Sequence, residues 1–105
     1  MIQLSEATTA GWCVVTVRGR ADADSADELE AALRTALNNN AKVAADLSGL
    51  DYVSSAGLRA LIQAARAAQA KGVDLAICSP TASVKKVFDM SGLHQILHIQ
   101  GKLPC

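Results

Sequence analysis

The hydrophobic residues of this chain change their spacing several times, and this change constrains the fold more than any other sequence feature. Alternating apolar and polar residues are typical of a half-buried strand, whereas apolar residues three to four apart are typical of a helix. Two strand-like segments come first, at residues 2–4 and 12–17, and predict a hairpin that turns between residues 8 and 11. A helix-like segment follows, in which Ser25 and Glu28 have the spacing of a capping box. Its apolar face consists of Ala26, Leu29, Leu33 and Leu37.

The rest of the chain repeats an order of strand and then helix. A strand over residues 42–47 leads through a loop to a second helix, which begins at Ser55 or just after it and ends at Lys71 and Gly72. A strand over residues 73–77 precedes a short helix that stops at Gly92, and residues 96–99 offer a last strand. The order ββαβαβαβ predicts an α/β fold, a small mixed β-sheet with an N-terminal hairpin and later parallel strands, packed with about three helices. With only 105 residues, we expect a single domain over residues 1–105.

Charge and composition exclude several classes of function. Ten basic and ten acidic residues cancel without a long run of either sign, so neither nucleic acid nor an acidic membrane surface is an expected partner. Residues 58–70 are apolar but are interrupted by two arginines and are too short to span a bilayer, so no membrane insertion is expected. The first residues do not read as a signal peptide, and three widely spaced cysteines argue against a disulfide framework. We therefore expect a cytoplasmic protein.

The segment over residues 46–58 carries the strongest functional signal. It reads DLSGLDYVSSAGL and joins a predicted strand to a predicted helix. A hydroxyl group at this junction, such as that of Ser55, can cap the helix, and the helix start also favours an anion. A phosphate on Ser55 would be tolerated there and would change the charge of the surface by about −1.5 to −2. Position alone leaves two interpretations of Ser55 open, a helix cap and a phosphorylated switch.

This segment resembles the phosphoacceptor loop of the STAS domains of bacterial anti-sigma factor antagonists. That loop commonly reads Asp-Leu-Ser-x-Leu-x-x-hydrophobic-Asp-Ser-Ser/Thr-Gly-Leu, and two further segments are similar to the same family, VRGRAD at residues 17–22 and VFDMSGL at residues 87–93. The resemblance runs from about residue 2 to residue 99 and implies a single STAS domain. It implies that Ser55 is the phosphoacceptor, with Ser54 as the alternative. Ser54 stands where relatives often carry an acidic residue, and Ala56 stands where they often carry Ser or Thr.

The resemblance implies a regulatory protein that is not an enzyme and needs no cofactor. The unphosphorylated form would bind an anti-sigma serine kinase and release a sigma factor, phosphorylation of Ser55 would reverse this, and a serine phosphatase would reset the switch. Asp22 and Asp24 follow the second strand and would face the same end of the sheet as Ser55, either as a partner contact or as a solvated polar loop. The partner-binding residues implied by the resemblance are Gly19, Asp22, Ser54, Ser55, Ala56, Gly57 and Leu58.

Other chemistry has less support from the residues. Asp46 and Asp51 have no nearby His or Cys, so we expect them to bond to backbone turns and not to catalyse or to bind a metal. His94 and His98 have a metal-ligand spacing only on a helix, and Gly92 is predicted to end the helix before them, so we expect surface histidines and no metal site.

Two other functions stay open. One is a STAS subunit of a transport assembly, serving phospholipid transport or the regulation of an anion transporter, without a phosphoswitch. The other is a phosphotransferase carrier enzyme that uses Cys78, although no glycine-rich phosphate cradle surrounds this cysteine in the sequence.

Overall fold

The computed structural model describes residues 2–91 and 98–100, which form a five-stranded mixed sheet and three helices. The strands are β1 (Ile2–Thr9), β2 (Trp12–Ala21), β3 (Lys42–Val53), β4 (Asp74–Cys78) and β5 (His98–Gln100). The helices are α1 (Ala26–Asn39), α2 (Ser55–Lys71) and α3 (Ala82–Ser91). The strands lie side by side in chain order, β1 is antiparallel to β2, and the later strands are parallel. The predicted fold class is confirmed.

The first hairpin turns where the sequence predicts. Thr9 pairs with Trp12, and the two residues between them, Ala10 and Gly11, both have positive φ angles, of 52° and 83°. Positive φ at both central residues is the conformation that matches the twist of the two strands in a tight hairpin. At the other end of the chain, the predicted helix stop at Gly92 and the histidine at position 94 lie outside the described residues, as do residues 96 and 97 of the predicted last strand.

The third strand is longer than predicted. We expected it to end near Leu47, but it continues to Val53, and residues 49, 50, 52 and 53 pair with β2. The pairing shifts register twice, between residues 16 and 18 of β2 and between residues 19 and 20. Gly19 lies at the second shift and has a φ angle of +98°, which a side chain rarely tolerates. Each shift inserts one extra residue into β3, as a β-bulge does.

Most of the core lies on one face of the sheet. One cluster of buried residues joins all three helices to this face, and Val15 and Val17 of β2 belong to it. A second, smaller cluster contains Val14 of β2 and the residues that follow the same alternation in β3 and β4, namely Ala44, Ala76 and Cys78. Successive residues of a strand point to opposite faces, so the first residues of β2 and β3, together with β4, are buried on both faces of the sheet.

One predicted helix end is confirmed by the structure and another is wrong. Gly72 ends α2 with a φ angle of +70°, and its N–H donates to the carbonyl oxygen of Gln69, which confirms the predicted left-handed cap. The capping box predicted at Ser25 is wrong, because the Ser25 side chain makes no cap hydrogen bond to α1. Its hydroxyl instead donates to the carbonyl oxygen of Arg20 at 2.8 Å and accepts from the N–H of Asp22 at 3.0 Å.

Candidate functional site

The candidate site lies at the carboxyl end of β2 and β3, where α2 begins. Ala21 ends β2 and pairs with Val53 at the end of β3, and the N–H of Ser54 donates to the carbonyl oxygen of Ala21 at 2.8 Å. Parallel strands bring their carboxyl ends to the same edge of a sheet, so the loop after β2 and the start of α2 meet there. We call residues 21–25 and 53–59 the junction site.

Ser54 is the N-cap of α2. Its hydroxyl oxygen accepts from the N–H of Gly57 at 3.2 Å, and the hydroxyl donates to the carbonyl oxygen of Ala21 at 3.1 Å. The Ser54 backbone is extended, with φ −86° and ψ 175°, as is usual at an N-cap, and the residue is half-buried. The interpretation of Ser55 as the helix cap is therefore wrong, because its neighbour fills that role.

Ser55 is the first residue of α2 and is exposed. Its hydroxyl has no hydrogen-bond partner among residues 2–91 and 98–100. The N–H groups at the start of a helix have no partner inside the helix, and the positive end of the helix dipole lies there. The Ser55 hydroxyl therefore combines access, freedom from other bonds and a local environment that stabilises an anion.

Gly57 sets the distance between α2 and β2. A Cβ atom at this position would lie 2.4 Å from the carbonyl oxygen of Ala21, 2.9 Å from the Cβ of Ala21 and 3.0 Å from a methyl group of Val53. Gly57 is buried, so its missing side chain serves this close approach. The neighbours Ala56 and Leu58 are half-buried and pack against the core cluster that joins the helices to the sheet.

Asp22 organises the loop between β2 and α1. Its Oδ1 accepts from the N–H groups of Asp24 and Ser25 at 3.1 and 3.2 Å, and it shares the proton of the Ser25 hydroxyl, 3.1 Å away, with the carbonyl oxygen of Arg20. The hydrogen bond from the Ser25 side chain is the main cause that lowers the pKa of Asp22, with smaller contributions from the two backbone N–H groups. The structure thus brings Asp22 to the same edge as Ser54, as expected, and also gives it a role within its own loop. Gly19, by contrast, lies within β2, before this loop.

A groove of about 250 Å³ runs between α1 and α2 beside Ser55. Ser55 and Arg59 line it from α2, and Asp27 and Glu30 line it from α1. No sequence motif pointed to the three charged residues of this groove, Asp27, Glu30 and Arg59. The spacing of four residues between Ser55 and Arg59 was a usable signal, because such residues are neighbours on a helix surface. The two acidic residues required knowledge of how α1 packs against α2.

The other candidate groups were the two aspartates of β3, the histidines and Cys78. Asp46 Oδ1 accepts from the N–H of Ser48 at 3.0 Å, which confirms the expected backbone bond for Asp46. The same expectation is wrong for Asp51, whose carboxylate accepts no hydrogen bond among the described residues. Within the described ranges no three His, Cys, Asp or Glu residues are grouped so that they could hold a metal ion. Cys78 is fully buried at the end of β4, as expected for a small buried side chain, so its sulfur is not exposed as the thiolate of a phosphocarrier must be.

None of the helices formed by the described residues combines the length and the apolar character that crossing a bilayer requires.

Comparison with known proteins places the chain in a family. Residues 4–100 match the family model described as MlaB, STAS domain. The chain is 31% identical over 90 residues to BtrV of Bordetella bronchiseptica, a candidate anti-sigma factor antagonist, and the match covers 85% of this chain and 78% of BtrV. The crystal structure of an anti-sigma factor antagonist from Mycobacterium paratuberculosis is 21% identical, with a TM-score of 0.85 over 99% of this chain and 89% of that chain.

A further solved relative has been captured in two states. The Bacillus anti-sigma factor antagonist SpoIIAA matches in its unphosphorylated form with a TM-score of 0.74 at 22% identity, over 97% of this chain and 90% of that chain. Its phosphorylated form matches with a TM-score of 0.70 at 20% identity, over 97% of this chain and 93% of that chain. At these identities the solved structures establish the fold, and the family model and BtrV establish the family. The chain belongs to the STAS domain family.

Proposed function

We propose that this STAS domain is an anti-sigma factor antagonist that is switched by phosphorylation of Ser55. The contrast between the two neighbouring serines carries the proposal. The Ser54 hydroxyl is committed to Gly57 and Ala21, whereas the Ser55 hydroxyl is exposed and uncommitted among the described residues. A kinase must reach the hydroxyl oxygen and replace its proton with a phosphoryl group. Modification of Ser54 would break the cap of α2, and modification of Ser55 would not.

In the proposed cycle the unphosphorylated protein binds an anti-sigma serine kinase in the cytoplasm, and a sigma factor is released. The kinase phosphorylates Ser55, the complex dissociates, and a serine phosphatase restores the first state. The domain itself has no catalytic activity in this cycle, because the kinase and the phosphatase carry out the chemistry. The proposed contact surface consists of Gly19, Asp22, Ser54, Ser55, Ala56, Gly57 and Leu58, with the buried Gly57 acting by fixing the position of its neighbours.

The electrostatics of the junction site explain how a phosphate would act. The site already carries Asp22 beside Ser54, and Asp27 and Glu30 line the groove beside Ser55. A phosphate would add about −1.5 to −2 charges to this surface. A phosphate covered by a partner must lose its hydration, and a buried charge for which the partner surface provides no counter-charge costs several kcal/mol.

A binding experiment with charge variants tests the proposal. Wild type, Ser55→Ala and Ser55→Asp are immobilised, and the proteins captured from a lysate of the source organism are identified by mass spectrometry. We expect a serine kinase to be retained by wild type and by Ser55→Ala and to be lost by Ser55→Asp. Gln69→Glu is the matched control, because it adds a negative charge at an exposed position of the same helix that lies outside the proposed contact surface. It should retain the kinase.

Phosphate mapping completes the test. Incubation of wild type with the captured kinase and ATP should place the phosphate on Ser55. Phosphate on Ser54 alone, or equal kinase affinity of wild type and Ser55→Asp, would contradict the proposal. Capture of a transport ATPase without any serine kinase would favour the alternative of a transport-assembly subunit.

A further inference from the structure

We propose that Arg59 is the residue that holds a phosphate on Ser55, through an ion pair along one face of α2. This inference rests on the proposed phosphorylation of Ser55 and deepens it, because it names the group that receives the phosphate. Arg59 is a positioning residue in this role and takes no part in the transfer itself.

The geometry of α2 brings the two side chains together. Ser55 and Arg59 are four residues apart, are both exposed and line the same groove. Residues with this spacing have Cβ atoms about 5–6 Å apart, which is within reach of a guanidinium group. Among the described residues, Arg59 forms no hydrogen bond and no ion pair. The planar fork of its N–H groups matches two oxygens of a phosphate.

The same protein already contains an ion pair of this kind. Glu30 and Arg34 are four residues apart on α1, and the distance between Glu30 Oε2 and Arg34 Nε is 3.0 Å. The acidic residue precedes the basic one, which is the favourable order on a helix. A phosphate on Ser55 and the side chain of Arg59 would have the same spacing and the same order. The phosphate carries more charge than a carboxylate and offers a third oxygen.

The opposite wall of the groove makes this cation necessary. Asp27 and Glu30 line the groove from α1, so a phosphate on Ser55 would face two carboxyl groups. Arg59 is the lining residue that can offset them, because the other lining residues are Ser55 itself and four alanines. Ser54 has no such support, since the residue four positions after it is Leu58, which is apolar and packs against the core. Arg59 therefore favours phosphate at position 55 over position 54.

A titration of the phosphate tests this pair without any kinase. Phosphoserine is placed at position 55 by codon reassignment, and ³¹P NMR at low salt gives the second pKa of the phosphate. We expect Arg59→Gln to raise that pKa by about 0.15–0.4 units, because the guanidinium stabilises the dianion. Arg59→Lys should give a smaller rise, since the charge remains but the fork is lost. High salt should reduce the differences in phosphate pKa between the Arg59 variants and the parent, because it screens the ion pair.

Arg66→Gln is the matched control. Arg66 is also exposed on α2 and loses the same charge, but it lies seven residues farther along the helix, about 10 Å beyond Arg59. The second pKa of the phosphate in the Arg66→Gln protein should equal that in the parent, the protein with phosphoserine at position 55 and no other change. Equal values for Arg59→Gln and Arg66→Gln would overturn the inference. The Nε–Hε NMR signal of Arg59 in the parent is a second readout, and an identical signal with and without the phosphate would also overturn it.

The two proposals fail separately. A kinase that never modifies Ser55 would contradict the proposed function, while the titration of the recoded protein would still decide the ion pair. Normal labelling of Ser55 together with an unchanged pKa in Arg59→Gln would reject the ion pair alone.

Discussion

Replacing each of the two serines with alanine separates their structural roles. Ser54→Ala removes the oxygen that caps Gly57 at 3.2 Å and the hydroxyl that donates to Ala21 at 3.1 Å. Loss of an N-cap costs about 0.5–2 kcal/mol, and loss of one hydrogen bond costs about 0.5–1.5 kcal/mol. The Ala21 carbonyl keeps the bond from the Ser54 N–H at 2.8 Å, so it is not left without a donor. We expect Ser54→Ala to lower the free energy of unfolding by about 1–3 kcal/mol.

Ser55→Ala should have almost no effect on stability. It removes an exposed hydroxyl that has no partner among the described residues, and alanine is the better helix former. We expect a change within about 0.5 kcal/mol, as for other surface substitutions. Urea denaturation followed by circular dichroism measures both changes as shifts of the midpoint at a constant slope. Equal destabilisation by the two substitutions, or a larger effect of Ser55→Ala, would refute the assignment of the cap to Ser54.

Three other predictions concern the same fold. Gly57→Ala should lower the free energy of unfolding by about 1–3 kcal/mol despite the helix propensity of alanine, because its Cβ would lie 2.4 Å from a backbone oxygen. Gly72→Ala is the control: its Cβ would have no atom within 4 Å, but the φ angle of +70° strains alanine, so it should cost about 1–2 kcal/mol. A Gly57→Ala protein as stable as wild type would contradict the prediction and show that α2 can move away from β2. Phosphorylation of Ser55 should leave the melting temperature unchanged or raise it, because a negative charge at a helix start stabilises by about 0.3–1 kcal/mol. A clear fall of the melting temperature in calorimetry would mean that the phosphate unfolds the junction site. Burial, with a smaller contribution from the hydrogen bond to Glu6, raises the pKa of the Cys13 thiol from 9.0 to about 11. The neutral thiol therefore contributes its full share of the free energy of unfolding below pH 9.0, and this share is lost as the pH rises to about 11. Cys13→Ser, which does not titrate, should show a smaller fall in the free energy of unfolding over that range, and rapid alkylation of native Cys13 at pH 8 would contradict the assigned burial.

The order of the elements and the edge at which they meet could be predicted from the sequence. The change from alternating to helical spacing located each element, and the rule that parallel strands end at the same edge placed Asp22 near Ser54. The end of β3 could not be predicted in this way. Its last buried side chains are Leu47, Leu50 and Val53, and a spacing of three residues matches no regular strand. The bulges that produce this spacing depend on pairing with β2, which is a tertiary interaction.

The identity of the helix cap was missed for a related reason. Ser54 and Ser55 are equivalent in composition, and which of them caps α2 depends on where β3 stops and on the carbonyl of Ala21. At Ser25 the sequence predicted a cap that the structure does not form. The local spacing was correct, but the tight loop after β2 offers the Ser25 hydroxyl the carbonyl of Arg20 at 2.8 Å. A local pattern gives way where another backbone group provides a closer partner, whether it is distant in sequence, as Ala21 is from Ser54, or near, as Arg20 is to Ser25.

The two bulges in β3 determine which serine is exposed. At the start of the pairing Thr16 lies opposite Asp46, and an uninterrupted register would place Ala21, five residues later, opposite Asp51. The observed partner of Ala21 is Val53, and the difference of two residues corresponds to the two extra residues in β3. This displacement brings Ser54 to the carbonyl of Ala21 and leaves Ser55 as the next residue, outside the hydrogen-bond network on the first turn of α2. The hydroxyl of Ser55 is thus presented on a helix anchored to the sheet, and a phosphate there changes the charge of a fixed surface. The proposed switch would therefore act on the partner through electrostatics, without a change in the fold.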